Sequence, residues 1–169
     1  MRNLTAVLLA LTLSTVPLAS AYAASGNTST TSGAVAADIV APIVLTHTTG
    51  SALNFGKFTV GSGGTVVVTA AGAGSVTGSV NFVPGGNTVT ADAFTVTGDD
   101  NRSFSIATTN STITNGTKTM AFTTKASATT EKLSATGTAT FTVGGTLTVV
   151  GTETPGSYTG SYSATATYN

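Results

Sequence analysis

The chain has 169 residues, six basic and six acidic side chains, no cysteine, and charge on only 7% of its positions. No basic patch exists to hold phosphates, which argues against nucleic acid as a partner, and without thiols the fold must rest on burial and backbone pairing alone. Thr, Gly, Ala, Val and Ser dominate, a composition poor in helix formers, rich in β-branched residues and weakly protected by charge against self-association.

Taken in chain order, Arg2 opens a positive start and an apolar run follows over residues 4–18. Ala21-Tyr22-Ala23 then offers a small-x-small cleavage site, so residues 1–23 read as an export signal, with an uncleaved anchor as the alternative. The run is shorter than the roughly 20 apolar residues a membrane span needs. No second such stretch follows, so no stable membrane insertion is expected. Cleavage leaves residues 24–169, with five basic against six acidic side chains. Residues 24–33 are small and polar, a flexible leader. Residues 34–169 are expected to form one β-sandwich domain.

Residues 34–46 read as its first strand. Val35, Ala37, Ile39, Ala41, Ile43 and Leu45 share one face at period two, with Asp38 and Pro42 on the other. Pro42 has no N–H to donate, so that position must stay unpaired. Burying Val35, Ile39, Ile43 and Leu45 would contribute about 6–12 kcal/mol gross. That is comparable with a whole domain's net stability of about 5–15 kcal/mol.

Short alternating segments follow: Val66 and Val68, Phe94 and Val96, Phe104 and Ile106, Met120 and Phe122, Phe141 and Val143. Period two marks half-buried strands. Turn signals separate them: Gly61-Ser62-Gly63-Gly64, Pro84-Gly85-Gly86-Asn87, Gly98-Asp99-Asp100-Asn101, Asn115-Gly116, Gly144-Gly145 and Pro155-Gly156. Many short strands between Gly-rich turns predict an all-β sandwich without helix. The seven phenylalanines, spread nearly one per strand, are expected to pack in its core.

Candidate chemistry is sparse. His47 is the single histidine, so a Ser-His-Asp relay would need it as base, with Asp38, Asp92, Asp99 or Asp100 behind it. No nucleophile elbow accompanies it, and no enzymatic activity or cofactor is expected. One histidine and no cysteine argue against zinc. Asp99-Asp100-Asn101 can offer oxygens to calcium, but two carboxylates in a Gly-flanked turn also read simply as a turn, and no metal site is assigned.

The C-terminal segment alternates without a break from Gly156 to Asn169. Gly156, Tyr158, Tyr162, Ala164, Ala166 and Tyr168 fall on one face, and Ser, Thr and Asn on the other. One face buried and one polar is the mark of a long strand.

With Gly156 fourteen residues from the end, an aromatic Tyr168 next to last, and Leu53-Asn54-Phe55-Gly56 after the first strand, the chain resembles subunits of archaic chaperone–usher pili, the branch that includes the spore coat protein U domain. The resemblance implies an immunoglobulin-like sandwich, incomplete, with a groove beside the C-terminal strand. It implies a periplasmic chaperone and an outer-membrane usher as partners. It also implies completion of the groove by residues 35–45 of another copy, β-strand addition that builds an open filament at the cell surface. The chain departs from the pattern in lacking a disulfide and in its long polar leader. The alternative is a self-complete secreted sandwich, with residues 35–45 paired in their own sheet, serving as a coat, matrix or ligand-binding module.

Overall fold

The computed structural model describes residues 26–85 and 88–169. The expected signal and its cleavage site, and Gly86-Asn87 of one expected turn, lie outside the described residues. The chain divides into residues 1–37 and 38–169. In the first unit, residues 26–37 form no strand and are exposed throughout.

The second unit is all-β and sandwich-like. Its strands, in chain order, are β1 (Val44–His47), β2 (Phe58–Thr59), β3 (Gly64–Val68), β4 (Gly74–Gly78), β5 (Asn81–Phe82), β6 (Asp92–Thr97), β7 (Ser103–Thr108), β8 (Ser111–Thr114), β9 (Thr119–Ala126), β10 (Thr130–Lys132), β11 (Thr138–Val149), β12 (Thr159–Gly160) and β13 (Ala164–Tyr168). One sheet runs β1-β6-β11-β9-β8-β12, with β3 and β4 attached through β11. A second runs β10-β7-β13, and β2 pairs with β5. Every pairing is antiparallel.

The alternation seen in sequence is the alternation of burial. All five apolar pairs named above, from Val66 and Val68 to Phe141 and Val143, lie in the core. They fall into two clusters. The first gathers Phe55, Val66, Val68, Met120, Phe122 and Leu147 among others. The second gathers Phe94, Val96, Phe104, Ile106, Leu133, Phe141 and Val143.

Strand β11 serves both clusters by changing partners along one edge. Residues 138–143 pair with β6, and residues 145–149 pair with β3. The change falls at Gly144-Gly145, which is not the turn expected from sequence but the middle of β11. The two glycines serve close approach of backbone on both sides instead of a reversal. A Cβ on Gly144 would meet the Val68 carbonyl, and one on Gly145 the Thr123 carbonyl at 2.5 Å. Gly116 supplies the hairpin between β8 and β9 with its positive φ of 94°. Beside it Asn115 Oδ1 accepts the Lys118 N–H at 3.0 Å.

The long C-terminal strand is two strands. Residues 159–160 pair with β8 in the large sheet, and residues 164–168 pair with β7 in the small one. A strand that switches sheets makes a corner of the sandwich. Tyr162 sits at that corner and packs against both clusters.

The N-terminal segment also departs from the expected single strand over 34–46. Only Val44–His47 is in a ladder, pairing with β6 of its own chain. Val35, Ala37, Ile39 and Ala41 are exposed and outside any strand, while Ile43 and Leu45 are half-buried against the second cluster. Pro42 gives the reason. It has no N–H for a ladder, so regular pairing starts beyond it.

Candidate functional site: a groove beside the C-terminal strand

Between residues 53–60 and residues 153–162 runs an open groove of about 1270 Å³. Ile113, Met120, Phe122 and Leu147 form its apolar floor, and His47, Ser51 and Asp92 line one end. One wall is the C-terminal segment, in which β12 bonds β8 on one side and ends the sheet on the other. Met120, Phe122 and Leu147 belong to the buried first cluster, and Ile113 is half-buried against it. An unpaired sheet edge beside an apolar-lined trough is a feature that accepts an extended strand.

The opposite wall comes from Leu53-Asn54-Phe55-Gly56. Asn54 forms an antiparallel bridge with Thr90, and its Oδ1 accepts the Gly56 N–H at 2.8 Å. Gly56 has a φ of 75°, a left-handed turn that only glycine adopts without strain. The turn aims Phe55 inward, where it is buried in the first cluster with Leu53 packed against it. The motif thus builds the groove wall.

At one end of the groove Asp92 is buried, the single buried charged residue among those described. Its carboxylate accepts the Tyr162 hydroxyl at 2.8 Å, the Ser51 hydroxyl at 2.8 Å and the Ala93 N–H at 2.9 Å, and it lies 2.6 Å from His47 Nε2. Desolvation pushes its pKa up, but the bonds from Tyr162, Ser51, His47 and Ala93 outweigh that and hold it below the usual carboxylate value. The Tyr162 hydroxyl is pushed well above the usual phenol value, first by burial and then by the Asp92 charge it donates to.

Ser51, His47 and Asp92 therefore meet, but not as a relay. Ser51 Oγ is 3.3 Å from the same Nε2 that faces Asp92. A relay needs the serine on one ring nitrogen and the carboxylate on the other. As arranged, the three groups tie β1, the 48–51 turn and β6 together. At the opposite end Glu153 accepts the N–H groups of Val150 and Gly151, each at 2.7 Å. Desolvation acts against it, yet those backbone bonds lower its pKa.

Of the C-terminal face predicted from sequence, Gly156, Tyr158 and Tyr162 line this groove. Ala164, Ala166 and Tyr168 do not. They pack on the second cluster beside Ile43 and Leu45. The Tyr168 hydroxyl accepts the Asp99 N–H at 2.6 Å and donates to the Ala41 carbonyl at 3.0 Å, with the Arg102 guanidinium 4.9 Å above its ring. Asp99 itself lies 3.7 Å from Arg102, and no group of three or more potential metal ligands occurs among the described residues.

Of the four acids the sequence offers as partner to His47, the structure brings Asp92 to it, while Ser51 has no place in the sequence reading. A signal that singles out Asp92 among the four is its step of two from Phe94 and Val96, which puts an acid on the buried face of a strand. Ser51 carries no such mark in a Ser- and Thr-rich chain.

Comparison with curated proteins and with solved structures gives no match. A family model described as a domain of unknown function, DUF4402, matches residues 45–168. That stretch holds both groove walls, the Asp92 hub and the strand that switches sheets, and the chain belongs to the DUF4402 family.

Proposed function

We propose that this protein is an exported structural subunit of a surface pilus or fimbria-like fibre, with a role in adhesion or biofilm. Its sandwich is immunoglobulin-like and incomplete, and its groove receives a β-strand from another copy. The groove carries the reading: an apolar trough along an unpaired strand edge, walled by the two motifs that resemble archaic chaperone–usher subunits. The unpaired N-terminal segment supports it. Val35 is 98% exposed and Ile39 is 99% exposed. Burying these two in a neighbour's groove would contribute roughly 3–6 kcal/mol gross. A periplasmic chaperone would cover the same groove before assembly, and an outer-membrane usher would pass the subunits to the surface.

The test is direct. A synthetic peptide of residues 34–46 should bind the processed protein and block formation of a ladder of sizes on unboiled gels. A soluble monomer that forms no ladder and takes up no peptide would remove the reading.

A second reading has its own support. Ile43 and Leu45 already pack on the second cluster, and β1 pairs with β6, within one chain. If the peptide test fails, the protein is a self-complete secreted module, acting as a coat, matrix or ligand-binding unit with the groove as its ligand site.

A further inference from the structure

The N-terminal segment changes character at Ala41. Upstream, residues 35 and 39 are almost wholly exposed, and downstream, Ile43 and Leu45 pack into the second cluster. The boundary is held at one atom, the Ala41 carbonyl oxygen, by the Tyr168 hydroxyl at 3.0 Å. Three further features fix that hydroxyl in place. The Asp99 N–H donates to it at 2.6 Å, and the Arg102 guanidinium lies over the ring at 4.9 Å. Gly98 leaves room, since a Cβ there would run into the tyrosine oxygen. Pro42 follows at once, with its φ fixed.

Direction matters next. Strand β1 enters at Val44, opposite Thr97, and leaves at His47, opposite Phe94. His47 lines the groove, so the chain runs toward the groove as it passes through β1. Residues before Val44 continue away from it unless they reverse. Residues 35–40 span at most about 20 Å when extended. Returning past the length of β1 uses about 13 Å of that reach, before any residue is spent on the reversal. What remains does not lay residues 35, 37 and 39 along the trough.

We propose that Tyr168 is an exit clamp: by holding the Ala41 carbonyl it sends residues 35–40 into the groove of a second copy and keeps them out of their own. This rests on the strand-accepting reading of the groove. It narrows the inserting segment to residues 35–40, and it makes the joint between copies a short stretch at Ala41-Pro42 held to the domain surface. Tyr168 acts here as a positioning residue.

The chain has no cysteine, so two can be introduced cleanly. In the processed full-length protein, Ile39→Cys places one thiol on the inserting segment and Ser157→Cys another on the groove wall. A short bis-maleimide should then yield a ladder of intermolecular products with little intramolecular product. Adding Tyr168→Phe removes the hydroxyl and keeps the ring. It should raise the intramolecular share about fivefold, the factor one net hydrogen bond supports, while the circular dichroism spectrum stays unchanged. Should Tyr168→Phe unfold the domain, Gly98→Ala displaces the hydroxyl by another route and should raise the intramolecular share in the same way. Dominant intramolecular product with Tyr168 intact overturns the clamp, as does a share that neither variant moves while the ladder persists. Absence of both products removes the strand-accepting groove itself, and the clamp with it.

Discussion

Asp92 and Tyr162 stand 70 positions apart in the sequence and 2.8 Å apart in the fold, the tyrosine hydroxyl donating to Asp92 Oδ2. The bond joins β6 of the large sheet to the corner where the C-terminal strand crosses to the small sheet. Both cores meet at that ring, so the bond fixes the sandwich corner and one end of the groove together.

Tyr162→Phe should therefore lower stability by about 1.5–3 kcal/mol, the range for a hydrogen bond to a charged group. Denaturant unfolding of the protein without residues 1–23 measures it. A change near zero would mean that Ser51, His47 and the Ala93 N–H suffice to hold the carboxylate.

Asp92 also sets a pH dependence. Its pKa is lowered on folding, so the stability it contributes is fully present above the unfolded carboxylate's value. That contribution is lost as pH falls through the lowered folded value. Stability should hold from neutral pH down to about pH 4 and then fall. Asp92→Asn should be less stable at neutral pH and show a shallower acid fall, read from melting temperatures between neutral and strongly acid buffers.

Gly144→Ala should destabilise the domain by about 1–3 kcal/mol, the range for forcing extra volume into a packed site. The added Cβ meets backbone of residues 68–70, which cannot swing aside as a side chain would. Gly116→Ala, with nothing near its Cβ but a φ of 94°, should cost about 1–2 kcal/mol from conformation alone. Thermal melts of the two variants separate contact from conformation.

Ile39→Asp and Leu45→Asp should part company. Ile39 is exposed and Leu45 is half-buried in the second cluster. Ile39→Asp should leave the monomer's melting temperature unchanged and weaken ladder formation, because the proposed insertion would place an unpaired charge in an apolar groove. Leu45→Asp should lower the melting temperature itself. Equal effects of both on monomer stability would show that residue 39 is buried in its own domain.

Period two carried far in this chain because burial follows it so closely: the pairs from Val66 and Val68 to Phe141 and Val143 are all inside. Connectivity was not legible. Alternation continues through Ser161, Tyr162 and Ser163 unchanged, so nothing in it shows that residues 159–160 and residues 164–168 belong to different sheets. The N-terminal segment misled for a related reason. Val35 to Leu45 keeps one period, but pairing depends on backbone donors, and Pro42 interrupts those while leaving the side-chain pattern intact. Asp92 was readable from the step through Phe94 and Val96, whereas the Tyr168 contact with Ala41 joins residues 127 positions apart and has no local mark.

The tyrosine at the corner has an optical consequence. The chain contains no tryptophan, so tyrosines dominate its emission. Tyr158 and Tyr162 line the groove, and the Tyr162 hydroxyl is bonded to a carboxylate, an arrangement that drains the excited state. Anything that fills the trough changes the surroundings of these two rings, and anything that breaks the Asp92 bond brightens one of them. The protein therefore carries its own unlabelled reporter of groove occupancy.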